Sequence, residues 1–316
     1  MPSRARYAVL GLAVLLTAAC GGPDLARQNF PRTTVSAAAA PAVDDDAVSV
    51  ANLRTVDVCG LLDSTTLGVL GTIDPVSVDS YRLGECEVGL TDAVGKKINL
   101  ELDSADFLVN PSITGTIEGL PMSVDDQPGD GCTVTAVASK ADSLGVSMHA
   151  GYAGGDACGA AQTALHNALR RLHTNPPRLP QPAGSLLPVD FCTVVDDATI
   201  TGVLGRGSEP SAFGLHGCSW SGGAATGELQ FDESTAPTAE DGRPVDLGGG
   251  VTGYQKLDTD AGKRCTVTWL HRAAGGGKGD VVTFDYNNYH DDAGNDDACG
   301  KAQTVAKAAL AKLPRP

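Results

Sequence analysis

Nine cysteines are the residues of this 316-residue chain whose spacing is most informative. Eight of them fall into two groups of four: Cys59, Cys86, Cys132 and Cys158, then Cys192, Cys218, Cys265 and Cys299. Corresponding members of the two groups lie 133, 132, 133 and 141 residues apart. A fixed period of this kind indicates an internal duplication, and four cysteines in one exported domain typically form two disulfides. The pattern predicts two copies of one disulfide-stapled unit.

Four cysteines allow three pairings within each copy. We favour the pairing of the first with the second and of the third with the fourth, because each bridge would then join a helix end to a strand. The sequence has no Cys-x-x-Cys pair and no histidines at ligand spacing, so a structural zinc site is not expected.

Motifs of common catalytic sites are missing from the sequence, including Gly-x-Ser-x-Gly, His-Glu-x-x-His and Walker patterns. Residues 248–253 match Gly-x-Gly-x-x-Gly, but no helix signal follows them. This context favours a flexible loop that enters a strand over a dinucleotide site. The six histidines do not recur at matching positions in the two copies. We therefore predict that the chain is not an enzyme and uses no cofactor.

An acidic loop before the last cysteine is the one candidate for cation binding. The interval between the third and fourth cysteines is 34 residues in the second copy and 26 in the first. Asp291, Asp292 and Asn295 are weak candidate ligands in the inserted loop, since Ca²⁺ is bound by carboxylate and carbonyl oxygens. The calcium-loop spacing Asp-x-Asp-x-Asn-Gly is not met. The alternative, which we favour, is a solvated loop in which Asp296 or Asp297 caps the last helix.

Periodic apolar residues place the cysteines on helices and strands. A short helix begins at Asp63, and Asp196 has the same role in the second copy. Amphipathic closing helices are predicted over 156–172 and 297–313. Strands are predicted over 86–90, 98–102, 132–138 and 144–150, and then over 218–221, 228–231, 251–254, 265–270 and 281–286. Strands that lie between two helices favour an antiparallel sheet with helices on one face, so we expect two tandem homologous α+β domains.

The first 52 residues are expected to form a targeting segment and a tether. Arg4 and Arg6 precede an apolar run too short to cross a membrane, which predicts a signal peptide over 1–19. Small residues before Cys20 are similar to a bacterial lipobox, at which the cysteine is acylated; a plain cleavable signal is the alternative. Residues 20–52 are rich in Ala, Pro, Ser, Thr and Asp, which predicts a flexible tether. We therefore expect a lipid-anchored protein on the extracytoplasmic face of the cell membrane.

Prolines mark the boundary between the copies, because they disfavour a continuing helix. They predict a linker over 176–183, which separates a first repeat over 53–175 from a second over 184–316. The first repeat has seven basic and 16 acidic residues, and the second has 11 and 18. Like charges oppose close docking, so we expect a loose, salt-sensitive arrangement with a polar groove between the repeats, in a monomer. The formal net charge of -15 also disfavours nucleic acid as a partner.

These features together resemble a family. The lipobox, the tether, the opening Asp57-x-Cys59-x-Leu61-Leu62, the strand Cys218-x-Trp220 and the closing cysteine helix resemble actinobacterial secreted lipoproteins of unknown function. The pattern is more distantly similar to the extracellular sensor domain of mycobacterial receptor Ser/Thr kinases. That resemblance implies a two-disulfide module with a ligand-binding cleft, and hence a non-catalytic binding or sensing protein for a small molecule or an envelope ligand. A structural lipoprotein that scaffolds other envelope proteins is the second hypothesis, and an enzyme is the third.

Overall fold

A computed structural model describes residues 45–316, apart from 81, 128, 130, 140–142, 224, 261 and 291–292. The predicted signal peptide, the acylation site at Cys20 and the candidate ligands Asp291 and Asp292 lie outside the described residues. The described residues belong to one compact unit. Within the described ranges, no helix combines the length and the apolar character that crossing a membrane requires.

The first repeat is built on one seven-stranded sheet. Its strands are β1 (Thr72–Ile73), β2 (Glu85–Thr91), β3 (Lys97–Phe107), β4 (Ile113–Ile117), β5 (Leu120–Gln127), β6 (Gly131–Ser139) and β7 (Leu144–Gly151). They pair antiparallel in the order β1-β2-β3-β7-β6-β5-β4. Three short helices precede the sheet, namely α1 (Val50–Leu53), α2 (Val58–Leu61) and α3 (Ser64–Leu67). The long helix α4 (Ala157–Thr174) follows the sheet and packs on β6 and β7.

The second repeat has the same plan. A 3₁₀ turn at Phe191–Thr193 and helix α5 (Asp197–Leu204) precede the sheet, and α6 (Ala298–Leu310) follows it and packs on β13 and β14. Its strands are β8 (Glu209–Phe213), β9 (Gly217–Gly222), β10 (Ala225–Thr235), β11 (Arg243–Gly248), β12 (Val251–Asp258), β13 (Lys263–Gly275) and β14 (Lys278–Asn288). Read from β8, the order is β8-β9-β10-β14-β13-β12-β11, again antiparallel throughout. The expectation of two tandem α+β domains is therefore confirmed.

Each core lies between a closing helix and one face of its sheet. On β2, the alternate residues Cys86, Val88 and Leu90 are at most 1% exposed, whereas the residues between them are partly exposed. On β3, the buried series runs from Ile98 to Ser104 in steps of two. The opposite face of these strands carries polar side chains, and this outer face forms part of the site described below.

The four disulfides are Cys59–Cys86, Cys132–Cys158, Cys192–Cys218 and Cys265–Cys299. Each one joins a helix or the 3₁₀ turn to a strand, which is the connectivity that the sequence favours. The four strand cysteines are at most 1% exposed. The bridges therefore attach the helices that precede and follow each sheet to its buried face.

The tether prediction is wrong for its last residues. Asp45 accepts a hydrogen bond from the Ala47 amide at 3.0 Å and so caps a 3₁₀ turn over Asp46–Val48. Val48 is 1% exposed and belongs to the core of the first repeat. A segment this short has no visible periodicity, because its fold depends on the helix α4 against which it packs.

Five strands were not predicted, namely β1, β4, β5, β8 and β11. β1 has only two residues, Gly115 lies in β4, and prolines lie in β5, β8 and β11, so their sequences look like turns. β4, β8 and β11 are edge strands, where a proline or glycine interrupts fewer ladder hydrogen bonds. The glycine-rich residues 248–253 form the turn and the start of β12 in the β11–β12 hairpin, as the loop interpretation expects.

Candidate binding cleft between the repeats

The two repeats contact each other through equivalent leucines. Leu83 and Leu215 each lie three residues before a strand cysteine, Cys86 and Cys218 respectively. Leu215 is 5% exposed and belongs to the core of the first repeat, whereas Leu83 packs against the core of the second. Each repeat keeps its own core, yet the contact is reciprocal and apolar. The expectation of a loose arrangement is therefore wrong, because net charge does not report a local exchange of leucines.

The backbone near these leucines is also equivalent in the two repeats. The Gly84 carbonyl accepts a hydrogen bond from the Ser104 amide at 2.9 Å, and the His216 carbonyl accepts one from the Phe231 amide at 3.0 Å. Gly84 has a φ of +88°, and a Cβ there would lie 3.1 Å from Leu215 Cδ1. Glycine thus allows the second repeat to approach closely. The same position in the second repeat carries the imidazole of His216.

Arg54 joins the first repeat to the second. Its side chain is 9% exposed and pairs with Asp190 at 3.2 Å, while its Nε donates to the Leu215 carbonyl at 2.9 Å. The linker follows the same junction, because Val56 and Arg178 form an antiparallel bridge. The prolines do not act as a free spacer, since part of the linker pairs with the first repeat.

Two adjoining cavities lie along this junction. One has a volume of about 430 Å³ and the other of about 340 Å³. Arg82, Leu83 and Asp232 line both and therefore lie between them. We call the smaller one the junction cavity; it is lined by Arg82, Glu85, Asp103 and Phe107 of the first repeat and by His216, Gln230 and Asp232, among others, of the second. Its volume is within the range of small-molecule sites.

His216 is the most buried polar side chain of the junction cavity, at 6% exposure. Its ring meets Phe231 edge-on, with the ring centroids 5.2 Å apart. Burial, followed by the nearby Arg54 guanidinium, lowers the pKa of His216 to about 3, so the imidazole is neutral at physiological pH. Its Nδ1 is buried and has no hydrogen-bond partner in the part of the chain that the structure describes. A buried nitrogen of this kind costs about 1 to 3 kcal/mol unless a partner is supplied.

Asp103 lies on the outer face of β3, opposite Glu85 on β2. Burial raises the pKa of Asp103 to about 6; the Ala105 amide, which donates to Oδ1 at 2.8 Å, opposes the shift, and neighbouring carboxylates add to it. Burial also raises the pKa of Asp232 across the cavity, although the Glu233 amide and Arg82 oppose that shift. No described basic side chain forms an ion pair with Asp103. The junction cavity thus presents one carboxylate, Asp103, that has no ion-pair partner among the described residues.

The residues singled out from the sequence lie elsewhere. The sulfur atoms of Cys132 and Cys158 lie with Asp126 at distances that would suit a metal, but these cysteines are bonded to each other and offer no thiolate. Asn295 ends a 3₁₀ turn over Ala293–Asn295. Asp297 caps α6 by accepting from the Gly300 amide at 3.0 Å, which agrees with the capping interpretation of the acidic loop.

Asp296 is occupied by groups of the protein itself. Its carboxylate accepts hydrogen bonds from the Tyr286 hydroxyl at 2.5 Å and from the Asn288 amide at 2.8 Å, and it pairs with Lys301 at 2.8 Å. Although burial raises its pKa, these donors together hold the pKa of Asp296 below its usual range. A cation at this carboxylate would have to displace Lys301.

The sequence led us to expect a groove between the repeats but identified none of the residues that line the junction cavity, because they form no motif. One signal was available, since the residue two before the strand cysteine is Gly84 in one copy and His216 in the other. A departure of this kind inside a duplicated block marks a position at which the copies have different roles.

Comparisons with known proteins add little to this geometry. No protein-family model matches the chain, and no curated protein matches it. A solved structure with some similarity is the di-domain ARO/CYC BexL from the BE-7585A biosynthetic pathway, at 14% sequence identity. The match covers 87% of this chain and 97% of BexL, with a TM-score of 0.17. That score carries no argument about fold or function, so the case for a site rests on the junction cavity itself.

Proposed function

We propose that the protein is a non-catalytic, lipid-anchored binding module of the bacterial cell envelope and that its ligand occupies the junction cavity. The observation that carries this proposal is His216, a buried imidazole in a cavity between two repeats whose Nδ1 has no hydrogen-bond partner among the described residues. The signal and lipobox patterns support the location. The four disulfides of the described residues also support a location outside the cytoplasm, because such bonds persist in oxidising compartments.

The chemistry of the cavity favours a small polar ligand with a protonated amine. An ammonium group would supply the counter-charge that Asp103 lacks, and a neighbouring hydroxyl or amine could hydrogen-bond to His216. Arg82 does not fill this role, because its side chain is 73% exposed and pairs with Glu85 at 3.5 Å. Binding would relieve the cost of ionising Asp103 in the folded protein.

A thermal-shift experiment tests this assignment with glucosamine, 1,4-diaminobutane and glucose as probes. The protein is the full chain with Cys20→Ser, which removes the predicted acyl anchor. A ligand that binds the folded state raises the melting temperature by mass action, so both amines should raise it and glucose should not. The shift should weaken below pH 6, where Asp103 becomes protonated.

Two variants locate the effect. Asp103→Asn and His216→Leu should each remove the amine-dependent shift, while Asp125→Asn should retain it. Asp125 is an exposed aspartate on the same sheet that does not line the cavity, which makes it a matched control. Equal shifts with glucose and glucosamine, an unchanged shift in Asp103→Asn, or no shift with either amine would each refute a ligand of this class in the junction cavity.

A scaffold function is favoured by a different observation. Phe107, Val109 and Ile113 are 61%, 75% and 46% exposed and lie close together in sequence at the β3–β4 connection. Exposed apolar residues grouped in this way are typical of a protein contact. Crosslinking in cells should then capture a partner that is lost in Val109→Ser/Ile113→Ser, two residues that do not line the junction cavity, without a change in melting temperature. Retention of the partner by that variant would exclude this surface.

A further inference from the structure

A larger cavity of about 700 Å³ lies in the second repeat, between the β11–β12 hairpin and the residues at the end of α6. Much of its lining is aliphatic, and Leu247 and Leu313 are the most buried of these side chains, at 4% and 6% exposure. Val251 and Leu310 contribute to the same surface. The volume suits a ligand with a substantial apolar part. We call this the α6 cavity.

The charge of the α6 cavity is opposite to that of the protein. No acidic residue lines it, although the chain has a formal net charge of -15. Lys307 and Arg315 are exposed at its edge. Neither forms an ion pair with another residue in the described ranges. An apolar cavity with two cationic side chains at its edge, neither paired with a described residue, is complementary to an anion with an apolar tail.

His271 adds a polar group to the inner wall. It is 8% exposed and lines the cavity, and its Nε2 is buried without a hydrogen-bond partner among the described residues. Burial lowers the pKa of His271, although the backbone of Gly184 and Pro314 and the nearby Asp280 carboxylate oppose that shift, so the ring is mainly neutral at physiological pH. A neutral imidazole can still donate a hydrogen bond to a ligand oxygen.

The first repeat provides an internal comparison. Ala138 of the first repeat is equivalent to His271, because each lies six residues after the third cysteine of its repeat. The cavity beside Ala138 has only about 230 Å³ and is lined by Asp45 and Asp46 of the segment that precedes α1. The features of the α6 cavity are therefore specific to the second repeat rather than a general consequence of the fold.

From these contacts we propose that the α6 cavity binds an amphipathic anion, a carboxylate or phosphate that carries an alkyl chain. The head group lies at Lys307 and Arg315, the chain runs along the aliphatic lining, and His271 offers an additional hydrogen bond. This site is separate from the junction cavity and does not depend on the function proposed for it.

Isothermal titration of the Cys20→Ser full chain tests the proposal with dodecanoate, dodecyl phosphate and dodecyltrimethylammonium, each below its micellar concentration. We expect one site for the anions and at least tenfold weaker binding of the cation. Comparison of the two anions identifies the preferred head group. Equal affinity for the cation, or no binding of either anion, would overturn the proposal.

Three variants separate specific binding from general attraction. Lys307→Glu/Arg315→Glu should weaken anion binding at least tenfold, and Val251→Trp should do so by occupying the cavity. Lys312→Glu is the control, because Lys312 is exposed just beyond α6 and does not line the cavity. All three should melt within a few degrees of the parent chain. Unchanged affinity in either cavity variant, or an equal loss in the control, would contradict the assignment.

Discussion

Truncation of Leu215, a residue of the second repeat, should destabilise the first repeat. The residue is part of the second repeat, but it is 5% exposed within the core of the first. A buried leucine replaced by alanine costs about 2 to 5 kcal/mol, according to how well the site collapses. Leu215 also lines the junction cavity, so water can reach part of the vacated space. We therefore expect Leu215→Ala to lower the free energy of unfolding by about 2 to 3 kcal/mol.

Hydrogen exchange read by mass spectrometry can locate this loss. Protection should fall in β2 and β3, whose buried faces belong to the core that receives Leu215. Leu83→Ala, the reciprocal change, should cost less because Leu83 is only partly buried, and its effect should appear in the second repeat. Leu257→Ala serves as a control, since Leu257 is 54% exposed on β12.

The distribution of lost protection between the two repeats shows whether the leucine contact couples them. If Leu215→Ala reduced protection only in β8–β14, the leucine exchange would not couple the repeats. A cost equal to that of Leu257→Ala would likewise show that the contact contributes nothing to stability.

Three further changes have defined outcomes. Cys20→Ala should release the protein from membranes or leave its signal uncleaved, and unchanged acyl labelling would refute the anchor. Asp103→Asn should stabilise the protein by up to about 3 kcal/mol above pH 6, because the raised pKa of Asp103 means that its ionisation opposes folding. This gain in stability should disappear as the pH falls toward 4. A difference in melting temperature that does not depend on pH would contradict the prediction. The contact of His173 with Asp45 at 2.8 Å raises the pKa of His173 despite the opposing effect of burial, so it stabilises most below pH 6.5. Asp45→Asn should therefore lower the free energy of unfolding by less than about 1 kcal/mol at low pH. The difference in melting temperature between this variant and the parent chain should shrink as the pH rises through the raised pKa of His173.

Local signals predicted most of the framework. Asp63 and Asp196 cap α3 and α5, where the sequence expects them, through bonds to amides two or three residues ahead. Strand lengths were less predictable. β3 extends to Phe107 because Asp106 and Phe107 pair with Gly145 and Leu144 of β7, whereas its apolar alternation stops at Leu102.

The residues of the junction cavity could not be predicted from local signals. Asp103 and His216 are ordinary residues in ordinary sequence contexts, and their pKa values depart from normal because both are buried where the two repeats meet. The segment after Asp45 was missed for the same reason, since it packs against α4, which begins more than a hundred residues further along the chain.

The sequence alone determined the duplication, the helix caps and the residues available for disulfides, because each depends on spacing within a short stretch or on a repeated period. Tertiary structure decided how the copies meet. The exchange of Leu83 and Leu215, the close approach permitted by Gly84 and the burial of His216 all depend on one repeat removing water from the other. Desolvation is a property of what covers a residue, and covering groups that are more than a hundred positions away leave no local pattern to read.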